Sequence, residues 1–190
     1  MTGVQVFGGE GVIADWGMEQ VVRETRSSML YEGTTGIQAL DLLGRKVLMT
    51  QGGALKNFTK LVHTFCKEEA DNEELAPFVA QLTELNKEWG DLTMKIGMSA
   101  MKDRNEVGSA SVDYLMYSGY VTLAYLWAKM AKASQVALAA GTTEEDFYKA
   151  KLTTARFYFS RILPRTKSHA AKMVAGSDTL MDLDAEHFAF

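Results

Sequence analysis

Apolar residues recur at helical spacing along most of the chain. One stripe of this kind consists of Leu55, Phe58, Leu61, Val62 and Phe65. A second stripe extends from Leu75 to Ile96, and a third extends from Phe147 to Leu163. Because residues three and four positions apart lie on the same face of a helix, each stripe predicts a helix with one buried side. We find no convincing strand pattern, so the sequence predicts an all-α fold, a bundle of four or five helices.

Residues 112–140 form the most apolar of the predicted helices. Tyrosines and one tryptophan, Trp127, are distributed around its whole circumference. A helix that is apolar on nearly all sides is typical of the centre of a bundle, so we expect neighbours all around it and Trp127 in the core. Residues 105–109 can either break this helix or continue it, because Gly108 is a weak helix former.

Two pairs of residues have the spacing of a capping box, which marks the start of a helix. These pairs are Asp71 with Glu74, and Thr142 with Glu145. In addition, Pro164 is expected to break or kink the helix that begins after residue 145.

Met94, Met98 and Met101 form a second stripe on the helix that contains residues 75–96. Flexible methionines can line a binding groove, but they more often fill a core, and we predict core positions for them. The apolar residues of the tail, residues 177–190, are expected to pack back onto the bundle.

A short break between two predicted helices contains the most informative carboxylate, Glu32. The two helices are predicted over residues 18–30 and 37–50. Gly33 supplies backbone freedom in the break, and Thr34 or Thr35 can cap the second helix. Glu32 therefore lies just before a helix N-terminus, where its side chain can point into a cleft.

The glycines at positions 52 and 53 mark the end of the second of these helices, as glycine after a helix commonly does. We place a domain boundary there. Residues 1–51 form a motif-bearing segment and residues 52–190 form the helical bundle.

Composition narrows the classes of function. The formal net charge of −4 and the absence of a basic excess give no indication of nucleic-acid binding. Cys66 is the only cysteine, which excludes an intrachain disulfide and favours a reducing, cytoplasmic compartment. The longest uncharged apolar run, residues 114–128, is shorter than the ~20 residues that span a bilayer, and no transmembrane segment is expected. His63 and Cys66 are three positions apart but have no second ligand pair, so no metal site is predicted.

Three motifs in the first fifty residues resemble the C-terminal part of an acyl-CoA dehydrogenase. They are QVFGGEG at residues 5–11, EQ and RETR within residues 19–26, and YEGTTGIQ at residues 31–38. Residues 114–131 and 158–188 resemble the extra C-terminal helical domain of the subfamily that includes methylthiopropionyl-CoA dehydrogenases. The N-terminal helical domain and the middle β-domain of that family have no counterpart in this sequence.

The resemblance implies an FAD-dependent α,β-dehydrogenation of an acyl-CoA thioester. Glu32 matches the base that removes the α-proton, and its backbone N–H matches a donor to the thioester carbonyl. The alternative is that Glu32 caps a helix or pairs with Arg26 on the surface. The matching positions imply flavin contacts at Gln5, Val6, Phe7, Gly8, Gly9, Thr34, Thr35 and Gly36, and substrate contacts at Tyr31 and Gly33.

In the family, the first of these flavin segments reaches FAD held by a neighbouring protomer. Many members have a polar side chain where this sequence has Gly36, so only backbone contact is expected there. The implied partners are acyl-CoA, an electron-transfer flavoprotein as electron acceptor, and further copies of the chain in a dimer or tetramer. We expect this chain alone to be inactive. The rival hypothesis is a non-catalytic helical module for interaction or oligomerisation.

Overall fold

A computed structural model describes residues 2–28, 30–31 and 33–188. Within these ranges the regular structure is helical, and none of the residues lies in a β-strand, which confirms the predicted all-α fold. The chain divides into two compact units, Met1–Gln38 and Ala39–Phe190. Across the described ranges, every helix is too short or too polar to cross a membrane.

The first unit contains two helices joined by tight turns. They are α1 (Thr2–Phe7) and α2 (Met18–Ser28), with 3-10 turns at Gly8–Val12 and Ala14–Trp16 between them. The apolar pattern of the sequence does not indicate α1, because a six-residue helix is too short to show an apolar period. Gly11 is buried against α1, where an added Cβ would lie 2.5 Å from the carbonyl oxygen of Val4. This close approach explains a glycine at that position.

The second unit is a bundle around one long helix. Its elements are the end of α3 (Thr35–Leu40), a π-helical segment (Asp41–Leu48), α4 (Gly53–Glu68), α5 (Ala76–Ala100), α6 (Asn105–Ala139), α7 (Glu145–Phe157), a second π-helical segment (Tyr158–Ile162), a 3-10 turn (Leu163–Arg165), α8 (Thr166–Met173), α9 (Asp178–Met181) and a last 3-10 turn (Ala185–Phe188). α6 packs against α5, α7, α8 and the first π-helical segment, and α4 packs against α5. The helix thus continues through Gly108. Pro164 lies in the 3-10 turn between the second π-helical segment and α8, so the helical run changes its geometry there, whereas the regular α-helix already ends at Phe157.

The inner face of α6 is buried in two hydrophobic clusters that meet at Phe58 and Leu85. One cluster joins α6 to α4, α5 and α7. The other joins it to α5, α8 and the first π-helical segment, from which Leu43 and Val47 contribute buried side chains. Tyr114 is fully buried in the second cluster. Residues before the predicted boundary at positions 51 and 52 therefore complete the core of the bundle.

Neither predicted capping box forms. α5 begins after Leu75 and α7 begins after Glu144, and no side chain caps either helix. Glu74 instead accepts a hydrogen bond from Gln135 of α6 at 2.6 Å. The cap predictions are wrong. The hydroxyl of Thr142 accepts the N–H of Glu144 at 3.2 Å, and the carboxylate of Glu145 pairs with Lys149 in the next turn of α7.

The methionine stripe and the tail also differ from the prediction. Met94, Met98 and Met101 are between 63% and 87% exposed, because α5 turns a different face toward the core. The tail is fixed at Ser177, whose hydroxyl donates to Asp103 and Glu106 at 3.0 and 2.9 Å. Beyond it, the apolar side chains that were expected to pack back are exposed; these are Leu180, Leu183 and Phe188. Phe190 lies outside the described residues.

The central helix is not enclosed on all sides. Its outer face is exposed, and Trp127 is only half-buried, stacked on Tyr158 with ring centroids 6.3 Å apart. The tryptophan inside the core is Trp89 of α5, which is 5% exposed. The core position predicted for Trp127 is therefore wrong, because helical pattern alone does not show which side of an apolar helix is covered.

The extent of the bundle can be tested with two fragments. We expect residues 39–190 to unfold cooperatively and residues 52–190 to be less stable by roughly 3–6 kcal/mol, because burial of a side chain such as Leu43 or Val47 contributes about 1.5–3 kcal/mol. Urea titration followed by circular dichroism measures the difference. Equal stability of the two fragments would contradict the burial of these two side chains. The domain boundary between residues 51 and 52 stays a prediction until that comparison is made.

Candidate functional site

The helix break that carries the proposed site follows α2. After Ser28, the backbone N–H groups of Leu30 and Tyr31 both donate to the carbonyl oxygen of Ser27, at 3.0 and 3.2 Å, and close the helix. Tyr31 is 73% exposed, which leaves its ring available to a ligand. Glu32 lies outside the described residues, and its role as the base stays a prediction.

Gly33 produces the bend between the two helices. Its φ is +98°, a conformation that residues with a side chain rarely adopt, and an added Cβ would lie 2.7 Å from Nε2 of Gln38. The first hydrogen bond of α3 follows directly, from the N–H of Gln38 to the carbonyl oxygen of Thr34 at 3.0 Å. The predicted backbone role of Gly33 is thus confirmed, and its substrate contact stays a prediction.

The residues predicted to contact flavin lie in two segments of the first unit. The first segment comprises Gln5, Val6 and Phe7 of α1 with Gly8 and Gly9 of the following turn, and the second comprises Thr34, Thr35 and Gly36 at the start of α3. All of these residues are exposed except Gly36, which is half-buried. α1 and its turn pack against α2.

The glycines in both segments leave room for close approach of a ligand. No heavy atom lies within 4 Å of the position that a Cβ would take at Gly8, Gly9 or Gly36. Gly8 also has a φ of +60°, so the turn depends on glycine there. These features fit the backbone contacts that the resemblance implies for FAD, and Gly36 has only backbone atoms to offer.

A polar cluster joins α6 to α8 in the bundle. Asp113 lies 2.7 Å from Nδ1 of His169 and 2.6 Å from Nζ of Lys172. Burial raises the pKa of the Asp113 carboxyl, but the hydrogen bonds from Lys172 and His169 outweigh it and hold that pKa below its usual value. The ring of His169 also stacks on Tyr120 at 5.6 Å. The sequence alone does not indicate this cluster, because residues 113 and 169 lie far apart along the chain.

This cluster predicts a pH-dependent contribution to stability. Because the pKa of Asp113 is lowered on folding, its contribution is complete above the unfolded value of about 3.9 and is lost as the pH falls through the lower folded value. We expect Asp113→Asn to cost about 1 kcal/mol at pH 7, since Lys172 is partly exposed and solvent screens the pair. Urea titrations at pH 7 and pH 2 test this, with the exposed Asp91→Asn as control. A cost that is the same at both pH values would contradict the assignment.

The remaining candidates for metal or nucleophile chemistry lie apart from this cluster. His63 is exposed whereas Cys66 is buried, so the two side chains do not share a face. Burial raises the pKa of the Cys66 thiol, although a hydrogen bond from Thr83 opposes it. The possible ligand atoms of Asp184, Glu186 and His187 lie within 4.8 Å of one another, but all three residues are exposed.

Sequence reasoning missed a buried set of tyrosine hydroxyls. The hydroxyl of Tyr117 donates to Glu88 at 2.7 Å and to the carbonyl oxygen of Leu85 at 3.1 Å. Burial and the neighbouring carboxylate of Glu88 raise the pKa of Tyr117 well above its usual value. Tyr114 shares a 2.9 Å hydrogen bond with Thr93. Buried polar groups normally have hydrogen-bond partners, so these contacts are what burial of the two tyrosines requires. The only sign of them in the sequence is the number of tyrosines in α6.

Two family models match almost the whole chain. The model described as "Acyl-CoA dehydrogenase, C-terminal domain" matches residues 1–48, which include both segments described above and the break at Glu32. The model described as "Acetyl-CoA dehydrogenase C-terminal like" matches residues 58–184, about two thirds of the chain. The chain belongs to the acyl-CoA dehydrogenase family. It corresponds to a C-terminal portion of such an enzyme.

Curated acyl-CoA dehydrogenases show similarity over nearly the same extent. A broad-specificity linear acyl-CoA dehydrogenase of Mycobacterium tuberculosis is 32% identical over 97% of this chain and 32% of its own length. The 3-methylmercaptopropionyl-CoA dehydrogenase of Ruegeria pomeroyi is 32% identical over 94% of the chain and 30% of its own length. A butyryl-CoA dehydrogenase of Syntrophomonas wolfei is 24% identical over 96% of the chain. The chain thus spans about a third of the length of these acyl-CoA dehydrogenases.

Proposed function

We propose that this chain supplies the catalytic base of a flavin-dependent acyl-CoA dehydrogenase. The observation that carries the proposal is the family match over residues 1–48, with the YEGTTGIQ motif in the break after α2. In this proposal Glu32 removes the proton from the α-carbon of an acyl-CoA thioester. FAD, when bound, accepts the hydride from the β-carbon.

The chemistry requires a carboxylate with little water around it, since desolvation raises its pKa toward the operating pH. It also requires a donor to the thioester oxygen, because negative charge develops there as the α-proton leaves. The backbone N–H of Glu32 would be that donor, so one residue would both polarise and deprotonate the substrate. The bend at Gly33 supports this arrangement, because it turns the chain sharply next to the proposed base.

The flavin contacts are proposed for Gln5 to Gly9 and for Thr34 to Gly36. Both segments are open and glycine-containing, which suits the approach of a phosphate-bearing cofactor to the backbone. The first segment would reach the FAD of a neighbouring protomer, so the active enzyme would be a homo-oligomer. We further propose an electron-transfer flavoprotein as the acceptor of electrons and a reducing compartment, in line with the lone, buried Cys66.

We expect the chain on its own to bind FAD weakly or not at all. Only two contact segments are present, and one of them is proposed to serve another protomer. Fluorescence quenching of FAD titrated with the chain tests this, and a purified sample should lack the flavin absorption band. Micromolar or tighter binding would contradict the proposed division of the flavin site.

An interaction module remains the second candidate for the bundle. The specific observation in its favour is that the outer face of α6 is apolar and exposed. The two functions are compatible, because the proposed base lies in the first unit and the exposed face lies in the second.

A further inference from the structure

A groove between α4 and α5 has a positively charged half and an apolar half. It consists of two adjoining cavities, with volumes of about 510 Å³ for the charged half and about 530 Å³ for the apolar half. Cavities of this size are typical of sites for small molecules. The walls that the two cavities share are formed by Lys56, Thr59, Asn86 and Lys87.

The charged half of the groove combines four basic side chains without a carboxylate. These side chains are Lys56, Lys60 and His63 of α4 and Lys87 of α5, and all four are exposed. In the part of the chain that the structure describes, no carboxylate lines either cavity and none of the three lysines forms an ion pair. The chain as a whole is acidic, with a formal net charge of −4, so this concentration of unpaired positive charge is a local feature.

The charged half is therefore a surface that an anion would stabilise. Lys56 and Lys60 are four positions apart on α4, where like charges repel each other and destabilise a helix. An anion between them and Lys87 removes this repulsion. Phosphate suits such a position, because its oxygens accept charge-assisted hydrogen bonds from several ammonium groups at once.

The apolar half of the groove is lined mainly by aliphatic side chains and glycines. These residues are Leu48, Leu55, Gly90, Met94 and Gly97. Thr93 also lines this half, but its hydroxyl is already bonded to the carbonyl oxygen of Trp89 at 2.7 Å and to the hydroxyl of Tyr114 at 2.9 Å. Among the described residues, no phenylalanine, tyrosine or tryptophan ring lines either cavity, so this half favours an aliphatic group over a stacked nucleobase.

We propose that this groove binds an amphiphilic phosphate ester, a ligand in which a phosphate group is attached to an aliphatic chain. The phosphate contacts Lys56, Lys60 and Lys87, and the chain extends past Gly90 into the apolar half. The two halves meet at Asn86, whose side-chain amide donates to the carbonyl oxygen of Thr59 at 3.0 Å and joins α5 to α4. This bond fixes the separation of the two helices before a ligand arrives, which lowers the cost of binding.

The headgroup of a membrane lipid offers the same chemistry as a free phosphate ester. The shape of the groove favours a single free molecule, because the apolar residues line a concave surface of small-molecule size. A membrane instead contacts an apolar face that can sink into the bilayer boundary. The two sources of ligand are separated in the last experiment below.

Isothermal titration calorimetry of the 190-residue chain with octyl phosphate, kept below its micelle concentration, tests the proposal. We expect octyl phosphate to bind at least about tenfold more tightly than either inorganic phosphate or octyl alcohol, because each of these probes occupies only one half of the groove. Binding should also weaken as the salt concentration rises. Absence of binding, or equal binding of octyl alcohol and octyl phosphate, would overturn the proposal.

Substitutions in the charged half test where the phosphate lies. Lys60→Gln and Lys87→Gln, on opposite walls of the groove, should each weaken the binding of octyl phosphate by about five- to tenfold. Lys167→Gln, which changes an exposed lysine of α8, is the matched control and should bind like the wild type. If both groove variants kept wild-type affinity, the phosphate would not lie between α4 and α5.

A substitution in the apolar half tests where the chain lies. No heavy atom lies within 4 Å of the position that a Cβ would take at Gly90, so Gly90→Leu fills the groove without displacing a neighbour. Leucine is also a better helix former than glycine, so the fold should persist, as circular dichroism can verify. We expect Gly90→Leu to weaken octyl phosphate binding by at least about tenfold and to leave inorganic phosphate binding unchanged. Gly119→Leu, at an equally open position on α6, is the control, and unchanged octyl phosphate affinity in Gly90→Leu would contradict the proposal.

Co-sedimentation with phosphatidylcholine vesicles that contain phosphatidic acid distinguishes a free ligand from a membrane. We expect the chain to bind octyl phosphate and to remain in the supernatant with these vesicles. Co-sedimentation that Lys60→Gln and Gly90→Leu abolish, in a chain that does not bind octyl phosphate, would assign the groove to a membrane surface and overturn the proposed ligand.

Discussion

Replacing Glu32 by Gln should lower the turnover of the full-length acyl-CoA dehydrogenase by about 10²–10⁴-fold or more. Gln has nearly the same shape as Glu but cannot accept the α-proton, so the fold and the flavin content should not change. Steady-state turnover of an acyl-CoA substrate, with the melting temperature and the flavin spectrum of the same sample, measures the effect. A variant with wild-type turnover would show that another group is the base.

The matched control for this substitution is Glu24→Gln in α2. Glu24 is an exposed carboxylate of the same segment and accepts a hydrogen bond from Gln20 at 2.9 Å. Its loss removes the same charge without touching the proposed site, and turnover should stay within about twofold of wild type. A large loss in this control would mean that local structure, rather than proton abstraction, explains the effect of changing Glu32.

The second large effect is expected in the core. Trp89→Ala should destabilise the bundle by about 3–5 kcal/mol, the usual cost of deleting a buried aromatic side chain. Trp89 is 5% exposed, and its ring centroid lies 5.9 Å from that of Phe58, 6.4 Å from that of Tyr114 and 6.3 Å from that of Tyr117. A small domain is stable by only about 5–15 kcal/mol, so the change should be visible as a large shift of the urea midpoint.

The other two tryptophans give a graded comparison. Trp127 is half-buried at the edge of a cluster, and Trp127→Ala should cost about 1–2 kcal/mol. Trp16 is 56% exposed in the first unit, and Trp16→Ala should change the unfolding of the bundle by less than about 0.5 kcal/mol. If Trp127→Ala cost as much as Trp89→Ala, the arrangement of α5 and α6 described above would be contradicted.

The sequence predicted the helices well wherever an apolar stripe was several turns long. α4, α5 and α6 follow from such stripes, and Pro164 lies in the 3-10 turn where the regular geometry of a longer helical run is interrupted. The short helix α1 was missed because six residues contain fewer than two turns, too few to show a period. The capping boxes failed at Glu74 and Glu145, whose carboxylates contact Gln135 and Lys149 instead of the backbone at the helix starts.

Periodicity could not show which apolar faces are covered. Met94, Met98 and Met101 have the spacing of core residues but lie on the exposed side of α5. The same ambiguity affected α6, whose apolar circumference suggested a fully enclosed helix. A face that will meet another molecule and a face that meets the core carry the same apolar pattern, so only the three-dimensional arrangement of the neighbouring helices distinguishes them.

The backbone of the candidate site could be predicted from the sequence pattern, whereas the roles of its residues could not. The bend at Gly33 follows from the chain itself, because a glycine between two helical patterns predicts a sharp turn, and its φ of +98° confirms it. The roles of Glu32 and of the flavin-contacting glycines depend instead on the resemblance to a family. The apolar and polar pattern of one chain does not reveal these roles, because it does not show which ligand a glycine or a carboxylate contacts.

The most direct test of the proposed base is exchange of the substrate's α-hydrogens with solvent. The full-length enzyme is incubated in D₂O with an acyl-CoA analogue that has no hydrogen on its β-carbon, so that proton abstraction can occur without oxidation. Mass spectrometry then measures the deuterium incorporated at the α-carbon. We expect the wild-type enzyme to catalyse the exchange and Glu32→Gln to lose it by about 10²-fold or more. Exchange at the same rate in both proteins would contradict the assignment of Glu32 as the base.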